Sequence, residues 1–160
     1  MREVLYEAIH AFYTFLPAYF ANATPTIFGG GRPIDFNRNF IDGRRVFGDN
    51  KTISGFIAGL VFGTIVGVME KEVLRGFLLS LGALVGDLAG AFIKRRGGMS
   101  PGAPLPIIDQ LDFVAGALIL SSRIYTYGGT TTIFVIGLTL ILHVITNVIA
   151  YFLKIKSKPW

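Results

Sequence analysis

Residues 52–69 and 130–153 contain no Asp, Glu, Lys or Arg at all. A helix rises about 1.5 Å per residue, so roughly 20 residues cross the bilayer hydrocarbon, and uncharged apolar runs of about 18 nominate a span. The whole chain follows suit, with 16% charged and 52% hydrophobic residues among its 160. A soluble domain carries about a quarter charged residues. Five spans are predicted, at residues 4–23, 52–69, 73–93, 108–122 and 130–153. The chain therefore reads as an all-α integral membrane protein of about five transmembrane helices, folded as one membrane-embedded domain over residues 1–160. Arg2, Glu3, Glu7 and His10 interrupt the first stretch, so no cleavable leader is expected.

The basic residues set the expected orientation. The connection 24–51 carries Arg32, Arg38, Arg44, Arg45 and Lys51, the connection 94–107 opens with Lys94, Arg95 and Arg96, and the tail holds Lys154, Lys156 and Lys158. Eleven of the fifteen basic residues thus fall on one side. The excess of Lys and Arg in cytoplasmic loops puts the N-terminus out, the C-terminus in, and both long loops in the cytoplasm. The net charge of +5 is read as loops beside anionic lipid, with no nucleic-acid partner. Without cysteine, disulfides and thiolate chemistry are excluded. Pro101, Pro104 and Pro106 are expected to preclude a regular helix in the second loop.

Glycines recur every four residues at 55, 59, 63 and 67, and again at 82, 86 and 90. Residues i and i+4 share a helix face, and small residues let backbones approach closely in lipid. Both stripes are expected at close helix contacts, against each other in one arrangement.

Asp87 carries the sharpest chemical signal. It lies seven residues before Lys94, about 10 Å below the basic end of its span. A carboxylate at such depth costs on the order of 2.5–3.5 kcal/mol to insert, which makes it a functional candidate by default. Asp109 and Asp112 stand three apart at the start of the fourth span and share a face. Asp109 alone suits a helix cap. Together with Asp112 and Asp87 it suits a hard divalent cation such as magnesium, which takes one or two protein carboxylates and fills its shell with water and phosphate oxygens. The segment 43–52 adds the cations Arg44 and Arg45, and Lys51 and Thr52 lie where the second span begins, where helix N-terminal amides receive phosphate. Anchoring to anionic headgroups is the plainer role for these cations. The segment Gly48-Asp-Asn-Lys51-Thr52 lacks the glycine before the lysine and the preceding strand of a P-loop. Three carboxylates and many cations at one membrane face describe a site for a polyphosphate–magnesium complex.

The strings Arg32-Pro-Ile-Asp35, Asp42-Gly-Arg-Arg-Val-Phe-Gly-Asp-Asn-Lys-Thr52, Gly86-Asp87 with Lys94-Arg95, and Pro101-Gly-Ala-Pro104 followed by Asp109-Gln-Leu-Asp112-Phe113 resemble the CDP-archaeol synthases. These are the archaeal branch related to CTP:phosphatidate cytidylyltransferase. The resemblance implies condensation of CTP with an unsaturated isoprenoid ether-lipid phosphate, with Mg2+ as cofactor, to give CDP-archaeol and pyrophosphate. It implies Asp87 and Asp109, with Asp112 in the same motif, as metal ligands. Lys94, Arg95, Arg44, Arg45 and Lys51 become candidates for the triphosphate or lipid phosphate, and Asn22 a candidate for reading cytosine. The His-Gly-Gly that precedes the last Asp-x-x-Asp in bacterial relatives is replaced by Leu105-Pro-Ile-Ile, which favours the archaeal lipid. The expected location is the cell membrane, multi-pass, with the active site facing the cytoplasm and a homo-oligomer allowed. Two other readings compete with this one. A CDP-alcohol phosphotransferase would continue differently after Asp42-Gly43, and a small ion-coupled transporter would use Asp87 without releasing pyrophosphate.

Overall fold

The computed structural model describes residues 2–100, 103, 105 and 107–154. Each predicted span coincides with a helix: α1 Arg2–Ala23, α3 Ile53–Met69, α4 Val73–Arg96, α5 Ile108–Ser121 and α6 Gly129–Phe152. One short helix, α2 Pro25–Phe28, was not anticipated, and proline at its start supplies the pre-set φ that opens a helix. Among the described residues no strand forms, and only isolated bridges join Pro33 to Thr52 and Asn39 to Arg45. The prolines at 101, 104 and 106, and Lys156 and Lys158 of the basic tail, lie outside the described residues.

Two helices, α4 and α6, are long and apolar enough to cross a membrane, while α3 is apolar but shorter at 17 residues. Packing supports lipid rather than water around α6. Ile133 is 72% exposed and Ile141 58%, and Val144 and Ile149 are exposed beside them. A contiguous apolar face of this size marks a surface built for another apolar phase.

The centre of the bundle is α4, which packs on α1, α3 and α5, while α6 closes the far side against α1 and α5. Phe15 and Ala18 of α1, Leu79 and Ala83 of α4, Val114 of α5 and Val135 of α6 form its dry interior. The glycine stripes explain the tight spacing, but not as a mutual contact. The α3 stripe meets α1 and α4: a Cβ on Gly59 would lie 2.6 Å from the carbonyl oxygen of Ala21, and one on Gly67 2.6 Å from the Cα of Gly76. The α4 stripe turns the other way, onto α5, where a Cβ on Gly86 would strike the Asp112 carbonyl. Periodicity announces a close-packed face, and the partner is decided by the rest of the bundle.

Candidate active site

The connection between α2 and α3 is organised by Asp35, whose side chain is wholly buried. It takes two bonds from Arg45, Nη2–Oδ1 at 2.6 Å and Nε–Oδ2 at 3.2 Å. The backbone N–H groups of Asn37, Phe47 and Gly48 also donate to it. Burial pushes the carboxyl up, but the bonds from Arg45, Gly48 and Phe47 outweigh it and hold the group well below the usual carboxylate range. Arg45 also reaches Asp49 at 2.7 Å.

A second set of contacts clamps this loop onto the end of α4. Arg44 Nη1 donates to the Arg96 carbonyl at 2.6 Å, and Arg96 Nη2 donates back to the Arg45 carbonyl at 2.6 Å. The Arg96 guanidinium lies 4.8 Å from the Phe40 ring centre and 4.7 Å from that of Phe92, and 3.1 Å from Asp42. Thr52 caps α3, its Oγ1 accepting from the N–H groups of Gly55 and Gly30. Arg44, Arg45 and Thr52 are therefore engaged in holding the loop.

The clamped loop delivers Lys51 to Asp87. The ammonium sits 2.7 and 2.6 Å from the two carboxylate oxygens. Two turns further along α4, Lys94 lies 2.7 Å from Asp109 Oδ1 and donates to the Ala103 carbonyl at 3.2 Å. Asp109 Oδ2 accepts the Leu105 N–H at 2.9 Å, so the carboxylate both ties down the segment leading into α5 and pairs with α4. Just before the helix, Ile107 has φ +70°, a conformation rare for a β-branched residue and held here by this turn. Asp112 enters through the glycine seam, its carboxylate occupying the space a side chain at Gly90 would fill. Gly90 lies one turn beyond Asp87 on α4 and Asp109 one turn before Asp112 on α5, so the seam gathers the three carboxylates named from the sequence at one end of this helix pair.

Arg95 stands out by its burial. It is 5% exposed, and its Nη2 donates to the Ser100 carbonyl at 2.9 Å. Among the described residues its Nε and Nη1 have no hydrogen-bond partner, a condition shared by the same atoms of Arg96. Buried donors are almost always satisfied, and the chemistry of a guanidinium with Nε and Nη1 open suits an oxyanion. Among the described residues no group of three His, Cys, Asp or Glu side chains stands ready around a metal position. The donor set, three carboxylates and no nitrogen or sulfur ligand, fits a hard cation, and two of the three already hold an ammonium ion.

Asn22 is not brought into this cluster. It lines a cleft between α1, α5 and α6. The sequence reading passed over Asp35 and Arg96 as functional candidates. For Asp35 the signal was its place in the quoted Arg32-Pro-Ile-Asp35 string, and for Arg96 its adjacency to Lys94-Arg95.

A helical membrane protein with acidic and basic groups gathered at one end of its bundle has the makings of an intramembrane enzyme for a charged substrate. Comparison with known proteins makes the assignment particular. The family profile described as CarS-like, CDP-archaeol synthase, matches residues 1–160. A CDP-archaeol synthase of Methanopyrus kandleri is 48% identical over 154 residues, covering 91% of this chain and 89% of the relative. One from Pyrococcus furiosus is 44% identical over 167 residues, covering 98% and 100%. A solved structure of an intramembrane enzyme for archaeal membrane lipids biosynthesis superposes with a TM-score of 0.83 at 40% identity, covering 88% of this chain and 94% of that one. The chain belongs to the CDP-archaeol synthase family, and is thus a cytidylyltransferase of archaeal membrane lipid synthesis.

Proposed function

We propose that this enzyme condenses CTP with digeranylgeranylglyceryl phosphate, an unsaturated isoprenoid ether-lipid phosphate, to give CDP-archaeol and pyrophosphate. The observation that carries the reading is the two aspartate–lysine pairs, Lys51 with Asp87 and Lys94 with Asp109, gathered on α4 and the start of α5. A lipid phosphate oxygen attacks the α-phosphorus of CTP in line, forming the new P–O–P bridge as the bond from the α-phosphorus to the bridging oxygen breaks and pyrophosphate departs. The attacking phosphate is already ionised, so no general base is needed. Catalysis then consists of positioning and charge stabilisation.

Each side chain has a task in this scheme. Lys51 and Lys94 exchange their carboxylate partners for phosphate oxygens, and Arg95 offers its Nε and Nη1 to an oxyanion. Arg44, Arg45 and Thr52 act through the loop, fixing the approach of Lys51. Asp87, Asp109 and Asp112 would hold Mg2+, which would supply positive charge against that of the phosphates. The five helices are read as five spans, N-terminus out and C-terminus in, with the site at the cytoplasmic face, as the eleven basic residues on one side support.

Purified enzyme given labelled CTP and the lipid phosphate should form a labelled CDP-lipid and release one pyrophosphate for each. Lipid-independent loss of CTP, or no pyrophosphate, would refute the reaction.

A further inference from the structure

Residues 25–51 carry apolar side chains that the fold leaves outside its own interior. Ile27 and Phe28 of α2 are 68% and 51% exposed, and Ile41 is 95% exposed. We propose that this stretch rests on the bilayer interface through two apolar contacts, α2 and the turn at Ile41, with anionic phospholipid as the partner of its free cations. The contact is with lipid around the chain, so it holds whichever phosphate the site accepts.

Local geometry presents Ile41 on a closed turn. The Val46 N–H donates to the Arg38 carbonyl at 3.2 Å and the Phe40 N–H to the Arg44 carbonyl at 2.7 Å, around the bridge between Asn39 and Arg45. Within the turn the Gly43 N–H returns to the Phe40 carbonyl, and Asp42 accepts the Arg44 N–H. Gly43 takes φ +76°, which lets the chain reverse. Turn tips in water favour Gly, Pro, Asn, Asp and Ser. An isoleucine held open at such a tip fits an apolar phase instead.

Two ring contacts place that phase. Phe40, beside Ile41, packs its ring 5.2 Å from that of Phe92 near the C-terminal end of α4, and Ile93 there is 56% exposed. The tip therefore stands where a helix long enough to cross a membrane gives way to Lys94, Arg95 and Arg96. At the other end of the stretch, Phe28 stacks 5.2 Å from Phe62. Phe62 is nine residues past the start of α3, roughly 14 Å along it, and shares a face with the exposed Ile65 and Met69. The short helix thus leans on the outward flank of an apolar helix. Charge completes the match. Arg32 and Arg38 are exposed and, among the described residues, form no ion pair. Arg38 sits at the base of the turn that Ile41 tips. Apolar groups backed by cations are what an anionic interface holds. Because the same stretch is clamped to α4 and ends on Lys51, its seat on lipid and the approach of Lys51 are fixed together.

The full chain in vesicles of phosphatidylcholine with phosphatidylglycerol tests this. Nitroxides on Ile27→Cys and Ile41→Cys should collide with oxygen several-fold more often than with a water-soluble nickel chelate, and a nitroxide on the exposed Asn50→Cys should show the reverse. Nickel-dominated collisions at Ile27 or Ile41 would overturn the contact. So would shielding from both reagents with dipolar coupling between labelled copies, which would make this face an interface between two chains. On the wild-type chain, phosphatidylglycerol bearing a diazirine near its headgroup should cross-link within residues 25–28 and 40–44, and an absence of cross-links there would overturn the proposal without recourse to any variant. Arg38→Gln should lower the yield at residues 40–44 several-fold, while a phosphatidylcholine diazirine keeps its yield. Equal yields from phosphatidylglycerol in wild type and Arg38→Gln would overturn anionic lipid as the partner.

Discussion

Asp35 and Asp87 are both acidic residues paired with a cation, yet they differ in what surrounds the pair. Asp35 is enclosed, with five donors converging on it, and its removal should cost stability. Arg45 is partly exposed, which places the cost of Asp35→Asn toward the lower end for a broken buried pair, roughly 3 kcal/mol. The sign of the pH effect follows from the lowered carboxyl. An unfolded Asp titrates near pH 3.9, so the stabilisation is fully present above about pH 4 and is lost as the pH falls below it. Thermal melts of wild type and Asp35→Asn between neutral and acid pH should converge as the pH drops. Asp87 and Asp109 have about a quarter of their side-chain surface exposed and each carries a lysine ammonium that a ligand can displace. Asp87→Asn and Asp109→Asn should leave folded, membrane-inserted protein whose CDP-lipid formation falls on the order of a hundredfold or more. Unfolding of both variants would assign the two pairs to assembly instead.

Glycine and threonine do the fine work at the level of elements. The seam between α4 and α5 needs Gly82, Gly86 and Gly116, because each sits against the facing backbone. Gly86→Ala should push α5 away from α4 and carry Asp112 with it, lowering both the melting temperature and CTP affinity. Gly137 of α6 has open space around it, so Gly137→Ala should leave both unchanged. Removing the cap of α3 with Thr52→Ala should cost about 1 kcal/mol, and by loosening the loop should raise KM for CTP more than it lowers kcat. The helices themselves were legible in the sequence because length and hydropathy set them. The short helix α2 was not, since four residues carry no period.

Topology remains the largest reading to be tested on the whole molecule. The chain has no cysteine, so single cysteines introduced for labelling report cleanly. Probes at Asn37 and Met99 should react from one face, and probes at Lys71 and Gly129 from the other. Met99 and Gly129 reacting from the same side would overturn the five-span arrangement. A second measurement addresses the site as a unit. Magnesium should tighten CTP binding, and CTP should tighten magnesium by the same factor, because coupled affinities are reciprocal. Calorimetry on solubilised enzyme reads both legs, and equal CTP affinity with and without magnesium, corrected for their association in solution, would exclude a shared site.

The sequence by itself determined the helices, the polar end of the bundle, and which carboxylates and cations were worth following. Those properties are written in run length, spacing and charge, which are local or additive along the chain. Only the tertiary structure decided partners. It turned the two glycine stripes onto different helices, gave Arg44, Arg45 and Thr52 to the architecture of a loop, and joined Lys51 to Asp87 across 36 positions. It also left Nε and Nη1 of Arg95 without a partner among the described residues, and placed Asn22 in a cleft between α1, α5 and α6. Such assignments depend on which faces meet when all the helices pack at once, and no local pattern in a chain encodes that.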